Sequence, residues 1–239
     1  MAREAVILAG GESKRMKRGT TDPVLINTPK PLLEINGKSI IARKIEKLLE
    51  ADFSVNIIIS EKDKPIFEER LKDYPVTYSV QGQEKGTAAA LYAAKDWVKD
   101  DLFLVEMGDD LYNFDVKSLR DYKTPVVFGF EVDDVSSYGL LITNDDGDVT
   151  DILEKQGSGR GLANTGMYVM HKDFFDVYND IPSDEKSGER FLTHAVKILR
   201  GRNINFKVKK IDFWFGVNTP EQLRQADLLI NGGKNERYG

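Results

Sequence analysis

The 239-residue sequence contains no cysteine, which excludes a disulfide scaffold, a cysteine-ligated zinc or iron–sulfur centre and a catalytic thiol. Its only two histidines, His171 and His194, lack the spacing of a metal-binding pair. No stretch approaches the roughly 18 consecutive apolar residues of a membrane helix. The apolar run from Ala5 to Ala9 is too short for the core of a signal peptide. We therefore expect a cytoplasmic protein that does not bind membranes.

Positive charge is also in short supply, since 34 Lys and Arg face 39 Asp and Glu and the net charge is −5. This balance argues against a protein that coats nucleic acid, because such binding depends on clustered cations. The first 30 residues are an exception, with six basic and three acidic side chains. An acidic protein with one basic segment suits a small polyphosphate ligand with a bound cation.

Hydrophobic patterning in the first half predicts strands and helices in alternation. Short apolar runs predict strands, and apolar residues at helical spacing predict helices. The predicted strands are Ala5–Leu8, Val55–Ser60, Val76–Val80 and Leu102–Met107, and the predicted helices are Ser39–Glu50, Lys64–Tyr74 and Thr87–Lys99. Because these strands are apolar without alternation, we expect a parallel sheet covered on both faces.

Hairpins enter in the second half, where Asn144-Asp145-Asp146-Gly147 predicts a tight turn between two strands. The predicted strands there are Pro125–Val132, Gly139–Thr143, Val149–Glu154, Asn164–Met170 and Ile204–Ile211, and the predicted helices are Glu189–Arg200 and Thr219–Ile230. We predict one Rossmann-like α/β domain over residues 1–239, with three α/β/α layers and a mostly parallel mixed sheet carrying an antiparallel hairpin elaboration. Residues 1–110 and residues 111–239 form the two halves of this predicted domain.

Three strand ends in the first half carry polar or glycine-rich sequences, and ligands of such sheets bind beyond the carboxyl ends of the strands. The first is Leu8-Ala9-Gly10-Gly11-Glu12-Ser13-Lys14-Arg15. Glycines let backbone N–H groups close around phosphate oxygens, and Arg15 offers a planar fork for a phosphate. The motif is neither a Walker A loop nor a Rossmann G-x-G-x-x-G. A simple Gly-Gly turn followed by solvated cations remains an alternative.

The other two strand ends offer a base-reading turn and a metal carboxylate. Gln81 carries a donor and an acceptor that can pair with a nucleobase edge. Gly86-Thr87 begins a predicted helix, where Thr87 could serve a ligand or simply cap the helix. Gly108-Asp109-Asp110 suits Mg²⁺, although a polar turn explains it equally well. Together the three strand ends predict a nucleoside triphosphate site.

The ordered set of motifs resembles the sugar-1-phosphate nucleotidyltransferases over nearly the whole chain. The motifs are LAGGESKRM, Pro29-Lys30-Pro31-Leu32-Leu33, Gln81 with Gly86-Thr87, Gly108-Asp109-Asp110, Glu154-Lys155, Asn164-Thr165-Gly166 and Gly216-Val217-Asn218-Thr219-Pro220. The resemblance implies the fold of nucleotide-diphospho-sugar transferases. It also implies transfer of a nucleotidyl group from UTP or dTTP to a sugar 1-phosphate, with Mg²⁺ as cofactor. The sequence leaves room for a homo-oligomer.

The resemblance also implies roles for individual residues. Arg15, Lys30 and Asp109 are the candidate catalytic residues, with Arg15 on the departing phosphates and Lys30 on the α-phosphate. The candidate nucleotide-binding residues are Leu8, Ala9, Gly10, Gly11, Gln81, Gly86, Thr87 and Gly108. The candidate residues for the sugar phosphate are Gly139, Glu154, Lys155 and Asn164. The candidate metal ligands are Asp109 and Asn218, and Gly216 stands where many thymidylyltransferases carry a further aspartate.

Other functions remain open at this point. A cytidylyl- or guanylyltransferase that acts on another phosphorylated alcohol or on mannose 1-phosphate is one alternative, because one glutamine discriminates bases only modestly. A non-catalytic subunit that senses nucleotide sugars is another, although it would not need Arg15, Lys30 and Asp109 together. The glycine-rich segment Gly157–Gly161 is either a mobile flap over the sugar or a plain hairpin.

Overall fold

A computed structural model describes residues 3–232, with side chains described through residue 230. The strands are β1 (Glu4–Leu8), β2 (Glu34–Ile35), β3 (Lys38–Ser39), β4 (Ser54–Ile59), β5 (Val76–Val80), β6 (Leu102–Met107), β7 (Asp110–Asn113), β8 (Val126–Val132), β9 (Gly139–Thr143), β10 (Val149–Glu154), β11 (Gly161–His171), β12 (Lys207–Lys210) and β13 (Phe213–Gly216). The helices are α1 (Lys14–Lys17), α2 (Pro23–Asn27), α3 (Ile40–Glu50), α4 (Lys64–Arg70), α5 (Thr87–Tyr92), α6 (Phe174–Val177), α7 (Leu192–Gly201) and α8 (Pro220–Gly232). No helix within residues 3–232 is long and apolar enough to cross a membrane.

Nine strands form one mixed sheet in the order β10-β9-β11-β6-β1-β4-β5, with β8 paired to β11 and β12. Strands β6, β1, β4 and β5 run parallel to one another. Strand β11 joins β6 in antiparallel register, and β9 and β10 form the predicted hairpin. Both halves of the chain therefore contribute to the sheet, and the α/β prediction is confirmed.

The two faces of the sheet are covered by different helices. Val6 and Leu8 of β1 face a core formed with α5 and α7, whereas Ala5 and Ile7 face a core that includes α3 and Phe67 of α4. A strand buried on both sides has no polar alternation, which is the pattern that its sequence shows. The resulting α/β/α layering leaves the loops at the carboxyl ends of the parallel strands free to form a site.

Three helix boundaries differ from the sequence-based prediction. The helix predicted to reach Tyr74 ends at Arg70 and is followed by a turn in which Tyr74 N–H donates to the Leu71 carbonyl. Pro75 disfavours the helical conformation for Tyr74 alone. The helix predicted to reach Lys99 ends at Tyr92. It continues as tighter turns in which Lys95 N–H donates to the Tyr92 carbonyl. The helix predicted from Glu189 begins at Leu192, since the backbone of Arg190 pairs with the Lys85–Ala88 segment instead.

Two short antiparallel pairs were absent from the prediction. Strands β2 and β3 form a hairpin whose turn, Asn36-Gly37, has φ angles of 50° and 73°, as a two-residue Asn-Gly turn requires. Strands β7 and β13 form a separate ribbon in which Gly216 pairs with Asp110 and Trp214 with Tyr112. This ribbon brings the segment after β6 next to the segment before α8.

A charged cluster is buried beside the ribbon. Lys44 of α3 is 3% exposed and lies near Glu106 and Asp110, which are 1% and 7% exposed. Burial raises the pKa of the Asp110 carboxyl, and the Lys44 ammonium opposes that shift. Burial raises the pKa of Glu106 in the same way, against Lys44 and the Tyr112 hydroxyl. The neighbouring carboxylates Asp109 and Asp110 therefore have different environments, since Asp110 points into the protein.

Candidate active site

The ends of four parallel strands converge at one edge of the sheet. Beyond the strand pairings, Ala9 N–H donates to the Ile58 carbonyl at 2.8 Å and Gly108 N–H donates to the Leu8 carbonyl at 2.9 Å. Gln81 N–H donates to the Ile59 carbonyl at 2.9 Å. These bonds extend the sheet by one residue and hold the three predicted loops side by side.

The three loops surround a cavity of about 670 Å³, a size within the range of small-molecule sites. Eleven of the predicted site residues line it: Leu8, Ala9, Gly10, Gly11, Arg15, Lys30, Gln81, Gly86, Thr87, Asp109 and Asn218. All the candidate catalytic residues and both candidate metal ligands are among them. Residues that are up to 210 positions apart in the sequence therefore share one cavity.

The remaining predicted site residues do not line this cavity. Gly108 lies behind it, where an added Cβ would sit 3.1 Å from the Leu8 carbonyl oxygen. The second-substrate candidates Gly139, Glu154, Lys155 and Asn164 lie on β9, β10, β11 and the loop after β10. Glu154 packs against Gly139, and Asn164 donates to the Tyr168 hydroxyl at 2.6 Å. These four residues lie on the antiparallel part of the sheet, and Gly166, two residues beyond Asn164, lies against Met107 of the cavity wall.

Lys30 lies at the centre of the polar contacts in the cavity. The residue is 8% exposed, and its ammonium forms an ion pair with the Asp109 carboxylate. The same ammonium donates to Asn218 Oδ1 at 2.9 Å, and Arg15 donates to that oxygen at 2.8 Å. One anionic and one neutral oxygen thus converge on a single cationic group.

The donor set around Lys30 fits a divalent cation. Mg²⁺ is commonly held by one or two carboxylates, with water and substrate phosphates completing its shell. Asp109 and Asn218 supply a carboxylate and an amide oxygen, and both already bind a cation in the form of the Lys30 ammonium. Within residues 3–232, no group of three or more His, Asp and Glu side chains could hold a metal. The chain therefore fits a metal that is shared with a bound phosphate.

The glycine-rich loop presents its backbone to the cavity. Ser13 has a left-handed φ of 56°, and its hydroxyl accepts from the backbone N–H of Lys30 at 3.3 Å. An added Cβ at Gly11 would meet nothing within 4 Å, whereas one at Gly10 would lie 3.1 Å from Gln81 Oε1. Gly10 therefore allows the loop to approach Gln81, and the loop is tied to Lys30 through Ser13.

The orientation of Gln81 is fixed by the loop that follows it. Its Nε2 donates to the backbone carbonyl of Glu84 at 2.8 Å, and its Oε1 faces Gly10. The Glu84 carboxylate accepts from the Tyr178 hydroxyl and lies 3.7 Å from Arg190 Nε. One of the two N–H donors of Nε2 is thus used, and this bond fixes the amide so that Oε1 is an acceptor at the cavity wall.

Gly86 and Thr87 hold the loop against the segment before α7. Thr87 Oγ1 accepts from Leu192 N–H at 3.0 Å, and Ala88 N–H donates to the Arg190 carbonyl at 2.9 Å. Gly86 has a φ of 102° and no room for a side chain, because a Cβ would overlap the backbone of Arg190. The glycine is required here by backbone geometry.

Replacing Gly86 with alanine should lower the free energy of unfolding by at least about 2 kcal/mol, since left-handed backbone strain and overpacking act together. For a chain of this size, that loss corresponds to a Tm lower by about 4 to 8 °C. The control is Gly82→Ala in the same loop, where a Cβ would meet nothing within 4 Å. Equal Tm values for the two variants, measured by thermal unfolding, would contradict the packing described.

Several cavity residues were missed by the sequence-based prediction. Ser60 and Lys62 follow β4 and line the cavity. The rule that ligands bind beyond the carboxyl ends of parallel strands applies to β4 as well and would have indicated both residues. Lys85 and Glu189 also line the cavity, and Glu189 comes from a distant loop with no local signal. The ion pair with Lys14 lowers the pKa of Glu12, and Lys85 and Lys62 act in the same direction. The cavity mouth therefore carries cations on both sides.

The segment Gly157–Gly161 is anchored at several points, and Gly161 already pairs with Val132 of β8. Val135 N–H donates to the Gly159 carbonyl at 2.9 Å, and Gly157 lies so close to Val135 that a Cβ would overlap it. The segment thus packs against the loop between β8 and β9. Whether it moves over a bound sugar stays a prediction.

Comparison with protein families gives a match to the model described as nucleotidyl transferase over residues 4–231. Among curated proteins, the bifunctional protein GlmU of Methanocaldococcus jannaschii is 30% identical over 229 residues, which cover 95% of this chain and 54% of that protein. The UTP–glucose-1-phosphate uridylyltransferase AglF of Haloferax volcanii is 26% identical over 240 residues, covering 95% and 96%. The chain thus spans about half the length of the GlmU relative and nearly all of AglF.

Solved structures share the fold over almost their full length. A putative glucose-1-phosphate thymidylyltransferase from Bacillus anthracis superposes with a TM-score of 0.79 at 24% identity, covering 97% of this chain and 98% of that one. HddC from Yersinia pseudotuberculosis, solved in complex with GMP-PN, gives a TM-score of 0.73 at 26% identity, covering 95% and 99%. The first of these similarities supports the three-layer α/β fold alone.

Proposed function

Since the chain belongs to the nucleotidyl transferase family, we propose that it transfers a nucleotidyl group from UTP or dTTP to a sugar 1-phosphate and releases pyrophosphate. The observation that carries this proposal is the contact of Lys30 with both Asp109 and Asn218, together with Arg15, at the wall of the cavity. Two cationic side chains, a carboxylate and a glycine-rich loop next to one another fit a triphosphate. A protein that only sensed nucleotide sugars would not need this set.

In the proposed reaction, a phosphate oxygen of the sugar 1-phosphate attacks the α-phosphorus of the nucleotide. The bond from the α-phosphorus to the bridging β-phosphate oxygen breaks, and pyrophosphate leaves with that electron pair. A phosphate monoester has a second pKa of about 6 and is mostly a dianion at neutral pH, so no general base is needed. Catalysis then rests on positioning and on neutralising charge.

Four polar side chains and the glycine-rich loop have distinct roles in the proposed reaction. Lys30 stabilises the negative charge that develops at the α-phosphate. A buried ammonium stabilises such charge more strongly than an exposed one, because water is excluded from its surroundings. Arg15 holds the departing pyrophosphate through its planar guanidinium. Backbone N–H groups of the Gly10–Ser13 loop face the remaining phosphate oxygens. When Mg²⁺ is bound by Asp109 and Asn218, it supplies further positive charge to the phosphates.

The proposed division of labour follows the two halves of the chain, with residues 1–110 binding the nucleotide and residues 111–239 the sugar phosphate. The placement of Gly139, Glu154, Lys155 and Asn164 on the antiparallel part of the sheet supports the second part. Glu154 can accept hydrogen bonds from sugar hydroxyls and Asn164 can both accept and donate them. Lys155 has an exposed side chain that can reach the sugar phosphate.

The base preference follows from the orientation of Gln81. Uracil and thymine carry a ring N–H, which can donate to the free Gln81 Oε1, whereas cytosine presents an acceptor at the equivalent position. The contact of Gln81 Nε2 with the Glu84 carbonyl opposes the flipped orientation that cytosine would need. We therefore place UTP and dTTP ahead of CTP.

Guanylyl transfer is a second candidate, because guanine also carries a ring N–H that could donate to Gln81 Oε1. The GMP-PN complex of HddC, which is 26% identical to this chain, lends it support. The similarity to AglF, which spans nearly the full length of both chains, favours uridylyl transfer over it.

The test is pyrophosphate release with Mg²⁺ for UTP, dTTP, CTP, GTP and ATP, each combined with several sugar 1-phosphates. We expect UTP or dTTP to exceed CTP by at least about tenfold in kcat/KM, the value of one good hydrogen bond in a buried site. In Gln81→Ala this preference should shrink to less than about threefold. The control is Gln225→Ala, at an exposed glutamine on α8 that does not line the cavity, and it should keep the preference. Equal use of CTP by the wild type would contradict the assignment to Gln81.

A further inference from the structure

The two candidate metal ligands, Asp109 and Asn218, are joined by the ribbon of β7 and β13. Asp109 immediately precedes β7, and Asn218 lies two residues beyond β13. Val217 N–H donates to the Asp109 carbonyl at 3.1 Å, just past the pair of Gly216 and Asp110. The distance between the two ligand side chains therefore depends on the register and rigidity of this ribbon.

The ribbon has little to stabilise it on its own. Each strand has four residues and neither strand belongs to the nine-stranded sheet. Two-stranded ribbons of this length are marginally stable in isolation and need packing against other elements. Something outside the backbone pairing must hold the register that places Asn218 next to Lys30.

Part of this support is apolar, because Leu111 of β7 and Val217 after β13 are buried in one hydrophobic cluster. The side chain of Asp110 adds a polar connection. Its Oδ2 accepts from Trp214 Nε1 at 2.8 Å, which bonds β7 to β13 across the ribbon. Its Oδ1 pairs with Lys44 Nζ at 3.0 Å, which fastens the ribbon to α3. Each oxygen of this buried carboxylate thus has one partner, and neither faces the cavity.

The surroundings make this connection rigid. Lys44 Nζ lies 4.0 Å from the centre of the Tyr112 ring, and the Tyr112 hydroxyl bonds Glu106. Trp214 packs edge-on against Tyr138, with ring centres 5.3 Å apart, and against Phe130. Removing one partner of such a buried ionic cluster leaves an uncompensated charge and is strongly destabilising, so Lys44 and Asp110 fix each other in place.

We propose that Lys44, Asp110 and Trp214 are positioning residues, which hold Asp109 and Asn218 at the spacing that a divalent cation requires. The inference rests on the proposed function, because it concerns the metal that the nucleotide would bring to Asp109 and Asn218. None of the three side chains lines the cavity, so each acts through the ribbon. Residues that orient metal ligands in this way typically change metal affinity by 10- to 100-fold when they are replaced.

The test measures binding of UTP by calorimetry, with and without Mg²⁺. In the wild type, Mg²⁺ should tighten UTP binding. In Trp214→Phe, which keeps an aromatic ring but removes the indole donor, we expect UTP affinity without metal to stay within twofold of the wild type. With Mg²⁺, the affinity should fall about tenfold.

Two further sets of variants separate positioning from packing. Trp97→Phe replaces the only other tryptophan of the chain, which is half-buried elsewhere in the core, and should leave both affinities unchanged. Asp110→Asn keeps one acceptor oxygen, which can serve Trp214 or Lys44 but cannot replace both carboxylate contacts. Its UTP affinity with Mg²⁺ should therefore lie between those of the wild type and Asp110→Ala. Asp110→Ala removes both acceptor oxygens, and its UTP affinity with Mg²⁺ should fall about as much as that of Trp214→Phe.

The outcomes distinguish this inference from the proposed function. If the wild type binds UTP more tightly with Mg²⁺, but Trp214→Phe and Asp110→Ala do so equally well, the positioning role is wrong and the proposed function stands. A uniform loss of affinity with and without metal in these variants also overturns the positioning role. If the wild type binds no nucleotide under either condition, both the proposed function and this inference fail.

Discussion

Lys30→Ala should reduce turnover by at least about 100-fold, the scale of losing one donor that acts on the transition state. The buried ammonium is the only side chain that contacts both Asp109 and Asn218 among the described residues. In the proposed reaction it also meets the α-phosphate, where charge develops. Steady-state kinetics with pyrophosphate detection would measure the loss, most of which should appear in kcat because the contact strengthens as the reaction proceeds.

The fold should survive this substitution. The backbone bonds at residue 30, from its N–H to Ser13 and from Leu33 N–H to its carbonyl, do not involve the side chain. Asp109, which loses its partner, is partly exposed and can be solvated. The matched control is Lys123→Ala, at an exposed lysine that does not line the cavity. A Lys30→Ala rate within about threefold of the wild type would overturn the role of Lys30.

Asp109→Ala should also lower turnover by at least about 100-fold, but for a different reason. The carboxylate is the only charged ligand that we assign to the divalent cation, and its removal leaves Asn218 alone. The concentration of Mg²⁺ needed for half-maximal rate should therefore rise by at least about tenfold, as expected for the loss of a metal ligand. A titration of rate against Mg²⁺ measures both effects.

Two variants show whether the loss reflects the metal. Asp109→Asn keeps the shape of the side chain and one oxygen ligand, so its half-saturating Mg²⁺ concentration should lie between those of the wild type and Asp109→Ala. Asp145→Asn, in the exposed turn between β9 and β10, removes a carboxylate of equal charge and should change nothing. An unchanged Mg²⁺ dependence in Asp109→Ala would remove Asp109 from the metal site.

The fold could be predicted from local patterns because its central strands are apolar on both faces. The run from Ala5 to Leu8 has no polar alternation, and in the structure it lies in the middle of the sheet with both faces covered. Three of the cavity loops could be found in advance, since the carboxyl ends of parallel strands must meet at one edge. The same rule applied to β4 would have added Lys62.

The contacts within the site could not be predicted from local patterns. Arg15 bonds Asn218 across 203 positions, and this proximity depends on the β7–β13 ribbon. The sequence indicated a magnesium site or a polar turn at Asp109-Asp110, but no strand there. Lys44 lies on the same helix as Ile41, Ile45 and Leu48, where a lysine usually extends its amine into solvent. Lys44 is buried instead because Glu106 and Asp110, which are distant in the sequence, lie beside its ammonium.

The central claim, transfer of a nucleotidyl group, is tested most directly by ³¹P NMR of one reaction that contains the protein, Mg²⁺, the preferred nucleoside triphosphate and a sugar 1-phosphate. We expect the triphosphate and sugar phosphate signals to fall together while pyrophosphate and a nucleotide sugar rise in equal amounts. Formation of orthophosphate or free nucleotide monophosphate instead would indicate hydrolysis. No conversion by protein that demonstrably binds the nucleotide would indicate a sensor, and either result would contradict the claim.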